Sequence, residues 1–170
     1  MLTKNFYSFM RAALQKTLAE FTKTDGTTKT TDLYKSKAPL EIMNSWYDGV
    51  ANVKYGVSFG TGTTPADVSN HCLENILTST QITVSIPSAV SYSRGDNYDE
   101  YSVSFGVTNK ITEAITVSEV GLTAAPYYSG GSSDVCVLVD RTVLDTPVTI
   151  PAGQSKQITY TIRFNYGDTV

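Results

Sequence analysis

The sequence predicts a mainly β protein: an antiparallel β-sandwich or jelly-roll-like domain of about seven strands, preceded by an N-terminal amphipathic helix and a linker. The first observation is a change of period, because apolar residues recur every three or four positions before residue 22 and every second position after residue 52. The second is that the alternating segments follow one another with no helical pattern between them. We therefore divide the chain into a helical arm, linker and collar over residues 1–52 and a β-sandwich over residues 53–170.

The N-terminal segment has the pattern of a helix that begins at Thr3, a residue type that can cap a first helical turn. Its apolar face is a set of candidate subunit contacts, because the helix can pack either on this domain or on a neighbouring subunit: Phe6, Phe9, Met10, Leu14, Leu18 and Phe21. The threonine- and lysine-rich stretch that follows, with Gly26 as a breaker, is typical of a linker. Residues 39–52, which include Trp46, are predicted to form a second short helix or an irregular collar.

Seven segments after residue 52 have the alternation of strands. They are VKYGVSF, QITVSI, EYSVSFGVT, ITEAITVSEVGLTA, VCVLVDRTVL, PVTIPAG and KQITYTIRFNY. In the fourth segment the alternation changes phase after Val117, which predicts a bulge near Ser118–Val120. The fifth is continuously apolar at its start, as expected for a strand that is buried on both sides or lies near an interface.

Residues 56–75, GVSFGTGTTPADVSNHCLEN, are interpreted as a structural corner rather than a ligand cradle. Gly60 and Gly62 permit a turn, and Thr64-Pro65-Ala66-Asp67 has the residues of a helix start. A phosphate-binding loop of the P-loop type would need a lysine after its second glycine, and none follows Gly62.

The candidates for chemistry in this segment are His71 and Cys72. His71 is the only histidine, and Cys72 has only Cys136 as a second thiol, which is too few ligands for a zinc site. Catalysis by Cys72 would require a histidine held across from it, whereas His71 is its neighbour in the chain. Cys136, between two valines, is most simply a small core residue. The sequence therefore predicts no catalytic residues, no metal and no cofactor, and hence not an enzyme.

Two polar loops have specific binding functions as alternatives to a plain solvent-exposed loop. Arg94-Gly95-Asp96 spells a tripeptide of cell-adhesion ligands but fits a polar hairpin loop, and Asp96, Asp99 and Glu100 lack the spacing of a calcium-binding EF-hand loop. Tyr127 and Tyr128, in a loop rich in glycine and serine, are candidate glycan or partner contacts because tyrosine offers a stacking face and a hydroxyl.

Charge is distributed unevenly along the chain. Residues 1–40 hold seven basic and three acidic side chains, a net charge of +4, so the remainder must carry −7 to give the total of −3. A basic arm on an acidic body is compatible with binding to nucleic acid, to an acidic membrane surface or to an acidic neighbour in an assembly. It is equally compatible with charged side chains that are only solvated by water. Arg11 and Lys16 interrupt the N-terminal apolar pattern, and no apolar run approaches a membrane span. We expect a soluble protein made in a reducing cytoplasm.

Four segments between residues 53 and 165 occur in an order that resembles structural proteins of tailed bacteriophage virions. They are GTGTTPADVSNHCLEN, SEVGL, VLVDRTVL and PVTIPAGQSKQITYTIRF. The resemblance covers about two thirds of the chain and leaves residues 1–40 outside it. It implies a multi-copy β-sandwich component of a tail, baseplate, collar or head appendage, located in the virion, with no catalytic role.

The expected function is accordingly that of a virion structural component that assembles through its N-terminal arm and its sheet edges. Its partners would be itself and other virion proteins, with no membrane. Nucleic acid is disfavoured as a partner, because the acidic body opposes a broad electrostatic footprint on DNA. The alternative is a carbohydrate-binding β-sandwich module for host attachment, in which Tyr127, Tyr128 or Trp46 would contact a glycan.

Overall fold

The computed structural model describes residues 1–33, 45–48, 55–85, 89–126 and 135–165. Within these ranges the chain forms one helix and nine strands, and every strand pair is antiparallel. The elements are α1 (Lys4–Gln15), β1 (Ala19–Thr22), β2 (Thr28–Thr31), β3 (Gly56–Gly60), β4 (Ile82–Ser85), β5 (Ser91–Arg94), β6 (Tyr98–Asn109), β7 (Ile115–Ala124), β8 (Val137–Ile150) and β9 (Ser155–Asn165). The predicted mainly β class with an N-terminal helix is confirmed.

The first sheet has three strands, with β7 between β3 and β8. Strand β8 contains both VLVDRTVL and PVTI, which the sequence presented as two strands, so that division is wrong. The outer edge of β3 is covered, because the Val57 N–H donates to the Ser45 carbonyl (2.7 Å) and the Leu77 N–H donates to the Phe59 carbonyl (2.8 Å).

A register shift lies at the predicted position in β7, but the extra residues, 144–147, are in β8 opposite Ser118. Val117 pairs with Val148 of β8, whereas Glu119 pairs with Val143, so the register shifts at Ser118. The shift changes which side chains face the core: Ile115 and Val117 before it, Val120 and Leu122 after it. Without the register shift, Glu119 would continue the apolar face of Val117.

The second sheet is centred on β6. Strand β9 pairs along one side of β6 from Tyr98↔Asn165 to Thr108↔Ser155, and the short strands β4 and β5 share its other side. Most of the alternating side chains predicted to be apolar and inward are buried, and Tyr101 and Phe164 are half-buried. The buried ones are Ile82, Val84, Val103, Phe105, Val107, Ile158, Tyr160 and Ile162. The two sheets share one core in a sandwich-like arrangement, since Phe59 of β3 meets Phe105 of β6 edge-on at 5.5 Å between ring centroids.

The helix is shorter than the sequence predicted, and the linker prediction for residues 22–38 is wrong up to residue 31, whereas residues 34–38 lie outside the described residues. Helix α1 ends at Gln15, followed by Lys16 in the left-handed region (φ 52°), and β1 and β2 then form a hairpin over residues 19–31. The hairpin turn is closed by Asp25, which accepts hydrogen bonds from the N–H and hydroxyl of Thr27, and Gly26 supplies a positive φ of 82°. The threonines of this stretch are β-branched residues that favour strands.

The N-terminal segment is held on the sandwich by polar and apolar contacts. Thr3 is the N-cap, as predicted, but its hydroxyl donates to the Leu138 carbonyl (2.6 Å) instead of capping the helix. The side-chain amide of Asn5 bonds to the backbone of both Thr22 and Leu138. Phe9 is buried with its ring 5.2 Å from that of Phe21, and both belong to the same core as the two sheets.

We predict that Phe9→Ala destabilises the whole protein by about 3–5 kcal/mol, because the substitution leaves a cavity in the shared core. The matched change Leu14→Ala on the exposed side of the same helix should cost less than about 0.5 kcal/mol. Urea unfolding followed by tryptophan fluorescence measures both. Equal midpoints for the two variants would show that the helix does not pack on the body.

Candidate interaction surface

The loop of residues 61–77, which follows β3, is folded around carboxylates and contains no helix, so the helix start predicted at Thr64 is wrong. The N–H and hydroxyl of Thr64 donate to the Glu74 carboxylate (2.9 and 3.0 Å). Asp67 accepts hydrogen bonds from the N–H and hydroxyl of Ser69 instead of interacting with a helix dipole. The segment is therefore a structural corner, built from side-chain bonds to the backbone.

A buried ion pair lies beneath this loop. Glu119 of β7 and Arg141 of β8 are almost fully buried, and Arg141 Nε donates to Glu119 Oε2 at 2.8 Å. Arg141 also donates to Asn70 Oδ1 (3.0 Å) and approaches Glu74 Oε2 (3.5 Å). The pairing compensates much of the cost of removing both charges from water.

The Glu119 carboxylate also organises the backbone of the loop. It accepts hydrogen bonds from the N–H groups of Gly62 (3.1 Å), Glu74 (3.1 Å) and Asn75 (2.8 Å). A Cβ added at Gly62 would lie 2.6 Å from Glu119 Oε1, so the close approach requires glycine there. Sequence reasoning did not identify Glu119 and Arg141 as a pair, although a charged residue within each of two apolar strands was a usable signal.

His71 and Cys72 are not arranged as a catalytic pair. The imidazole of His71 packs towards the turn at Gly26, and Cys72 lines a cavity of about 240 Å³ with Tyr47, Ser58 and other residues. Partial desolvation raises the pKa of the Cys72 thiol, although the residue is exposed to solvent. Cys136 is buried, as predicted for a core residue. Among the described residues, no group of three or more His, Cys, Asp or Glu side chains could hold a metal ion.

The six candidate contacts in the N-terminal segment fall into two groups. Phe9 and Phe21 are buried in the core, and Phe6 is half-buried against Phe164, with ring centroids 6.0 Å apart. The other three are exposed to solvent: Met10 (46%), Leu14 (78%) and Leu18 (63%). Tyr7, which the sequence analysis did not include, is 58% exposed and extends this line at helical spacing. We call Tyr7, Met10, Leu14 and Leu18 the apolar stripe.

The flank of the apolar stripe is basic. Lys4, Ser8 and Arg11 line an open groove with Tyr7, and α1 contains no acidic residue. A surface that fits the stripe should therefore be apolar with an acidic margin.

A second exposed feature is a row of aromatic rings at one end of the second sheet. From Tyr7 the row continues through Phe6, Phe164 and Tyr101 to Tyr92, with adjacent ring centroids 5.2–6.2 Å apart. Adjacent rings are inclined by 29–85°, so the row is a packed cluster and not a flat platform. Only its ends, Tyr7 and Tyr92, are more than half exposed among the row's members.

The polar loops behave as hairpin surfaces. Gly95–Asn97 connects β5 to β6, which confirms the hairpin reading of the Arg-Gly-Asp tripeptide. Asp99 accepts hydrogen bonds from Arg94 (2.8 Å) and from the Tyr92 hydroxyl (2.7 Å), and Glu100 accepts from Arg163. These carboxylates are thus engaged by protein donors.

Of the three predicted glycan contacts, Trp46 lies within the described residues. Tyr127 and Tyr128 lie outside the described residues. Trp46 is half-buried beside β3 and packs against the core, and its indole Nε1 is buried with no hydrogen-bond partner among the described residues.

The comparisons with known proteins identify no relative: no protein-family model matches the chain, and neither does any curated protein or solved structure. In the described ranges, no helix has the length and apolar character required to cross a membrane.

We predict that Glu119→Gln destabilises the protein by about 3–5 kcal/mol, because it removes the closest and only fully buried carboxylate from the Arg141 guanidinium and leaves it the more distant Glu74 Oε2 at 3.5 Å. The control is Glu113→Gln, since the Glu113 side chain is exposed. Urea unfolding measures both variants. Wild-type stability in Glu119→Gln would contradict a central role for the pair.

Glu74 should make the stability of the loop depend on pH. Hydrogen bonds from the backbone and hydroxyl of Thr64 hold the pKa of Glu74 below its ordinary value of 4.5. Because the folded-state pKa is lowered, this stabilisation is complete above the ordinary pKa and is lost as the pH falls through the folded value. The difference in unfolding free energy between wild type and Glu74→Gln should therefore narrow from about pH 6 to about pH 3. A difference independent of pH would exclude this contribution of the ionised carboxylate.

Proposed function

We propose that the protein is a structural subunit that assembles with neighbouring copies of itself and with other proteins, as a component of a bacteriophage virion. The observation that carries the assembly role is the apolar stripe, of which Tyr7, Met10 and Leu14 are exposed on a helix fixed to the sandwich and Leu18 is exposed in the segment between that helix and β1. The virion assignment rests on the resemblance of the four segments to tail, baseplate, collar and head-appendage proteins. The proposal includes no catalytic step.

The size of the apolar stripe supports a contact surface. With a fully exposed large side chain counted as about 200 Å², its four side chains expose about 500 Å². That area is comparable with the largest apolar patch on a typical monomer, and more than half of the ~800 Å² that each partner buries in a standard interface. At about 25 cal/mol per Å², covering it contributes about 12 kcal/mol, against association costs of about 4–15 kcal/mol.

The rigidity of the helix also favours binding. Thr3, Asn5 and Phe9 hold α1 on the sandwich, so the apolar stripe is displayed without further ordering of the helix. Because ordering a mobile segment opposes association, a stripe on a fixed helix binds more tightly than the same residues on a free arm. In this proposal the helix stays on its own body and presents its outer face to the neighbour.

Charge selects the partner surface. The stripe is flanked by Lys4 and Arg11, and residues 41–170 carry a net charge of −7, so the body of a second copy offers the complementary sign. Two helices paired through the same face would instead oppose like charges. The contact proposed here is therefore heterologous, between the helix of one copy and the body of the next, a type of contact that closes into a ring or extends into an open chain.

Carbohydrate binding is the second candidate, and one observation favours it. Tyr92 is 52% exposed and lies beside Asp99 and Arg94, which could bond to sugar hydroxyls. The inclination of neighbouring rings disfavours it, since a sugar stacks best on an open, flat aromatic face. If the protein bound to a glycan array and Tyr92→Ala abolished that binding, carbohydrate binding would replace assembly as the proposed function.

The test of the proposed function is the mass of the purified protein measured by light scattering. We predict a defined oligomer for the wild type and a smaller species for Leu14→Ser, because the change places a hydroxyl in the contact. Ile111→Ser, at an exposed aliphatic residue elsewhere, is the control and should keep the wild-type mass. Identical masses for all three proteins would reject the apolar stripe as an assembly contact.

A further inference from the structure

In the described structure, β9 is a long edge strand of the second sheet. In the part of the chain that the structure describes, all backbone pairing of β9 is with β6, along one side only. The strand is eleven residues long, and its register with β6 has no shift. An unprotected edge of this length presents a row of N–H and C=O groups that another strand can pair with.

The other long edges are covered or interrupted. Strand β3 is covered by residues 45–47 and 75–77, and β8 by the backbone of residues 1–3 at Val139 and Arg141. The remainder of β8 contains Pro147, and β4 and β5 have only four residues each. Among the described residues no backbone segment pairs with the outer side of β9, which contains no proline, glycine or bulge, and the ring of Phe6 stacks on Phe164 near its end.

The sequence of β9 indicates what pairs with it. Its centre, Ile158-Thr159-Tyr160-Thr161-Ile162, reads the same in both directions, and its charges lie near the two ends at Lys156 and Arg163. A contact about a two-fold axis requires a self-complementary surface, in which residue i meets residue j and j meets i. Any strand that pairs antiparallel with its own copy meets this requirement, and the palindromic centre of β9 in addition places Thr159 opposite Thr161 and Ile158 opposite Ile162.

We propose that β9 pairs antiparallel with β9 of a second copy about a two-fold axis at Tyr160, which joins the second sheets of the two copies. This inference rests on the proposed function, because it names a partner and a surface for the assembly. All eleven residues then have an opposite residue, whereas a shift by two positions leaves residues at the strand ends without one. A shift by one would place inward residues opposite outward ones and is excluded by the pleat.

The side chains are compatible with this register. Thr159 lies opposite Thr161 of the second copy, a favourable cross-strand pair. Gln157 lies opposite Arg163, and Lys156 opposite Phe164, so no two like charges are opposed. The outward side chains at these positions are all exposed: Gln157, Thr159, Thr161 and Arg163.

Cysteine cross-linking tests the register. In a Cys72→Ser background of the full chain, Thr159→Cys and Thr161→Cys are made separately and then mixed under mild oxidation. Directly opposite residues have Cβ atoms about 4.5–5.5 Å apart, near disulfide range, whereas diagonal ones are about 7–8 Å apart. We expect a covalent dimer in the mixture and several-fold less in either variant alone. Equal yields in the mixture and the single variants would overturn the proposed register.

Charge on the edge provides the second measurement. Thr161→Lys opposes pairing and should lower the assembly mass by about half, whereas the matched control Thr83→Lys on β4 should leave it unchanged. An unchanged mass for Thr161→Lys would overturn the inference.

The outcomes separate this inference from the proposed function. If cross-linking persists in a Leu14→Ser background, the β9 contact stands whatever the role of the apolar stripe. If the wild type assembles but neither the cross-link nor the effect of Thr161→Lys appears, the β9 contact is wrong and the assembly role stands. A wild type that is monomeric at every concentration, without cross-links, rejects both.

Discussion

The fold depends on one buried ion pair, Glu119 with Arg141. A carboxylate removed from water is tolerated only when donors surround it, and three backbone N–H groups and a guanidinium do so here. Those N–H groups belong to the loop of residues 61–77, so the loop must close over the first sheet to satisfy the charge. Two further features serve the same requirement. The register shift at Ser118 places the Glu119 side chain on the face of β7 opposite the core, and Gly62 has no Cβ to block the approach of the Glu119 carboxylate to the backbone of the loop.

The same part of β8 connects the pair to the surface of the molecule. The backbone of Arg141 bonds to Met1, and Val139 accepts the N–H of Thr3, so the segment that starts α1 lies beside the buried charges. Helix α1 consequently begins at a fixed point on the sandwich, and Phe9 sets its rotation by entering the core. Once that rotation is set, the residues at the remaining helical positions must face solvent. The apolar stripe is thus exposed because the packing of Phe9 in the core fixes the rotation of α1, and its exposure does not require a mobile N-terminal arm.

The sequence predicted what depends on periodicity and missed what depends on tertiary contacts. The alternation of β6 and β9 and the phase change at Ser118 are local patterns, and the structure confirms them. The helix predicted at Thr64 is absent because the residue types that start helices also form turns through their side chains. Here the N–H and hydroxyl of Thr64 donate to the Glu74 carboxylate. The role of Glu119 could not be inferred from alternation, in which a charge in a strand indicates a solvent-facing position. Only the loop covering that face buries it.

The two proposed contacts differ in symmetry, and the difference follows from their residues. Strand β9 is self-complementary because its centre is palindromic and its charges do not meet, so it suits a two-fold contact. The apolar stripe is flanked by positive charge with no acidic residue in α1, so it suits a different surface and a head-to-tail contact. A two-fold contact alone stops at a pair, and a head-to-tail contact alone leads to a ring or an open chain. A subunit with both contacts links rings or chains back to back, which is compatible with the multi-copy role proposed above.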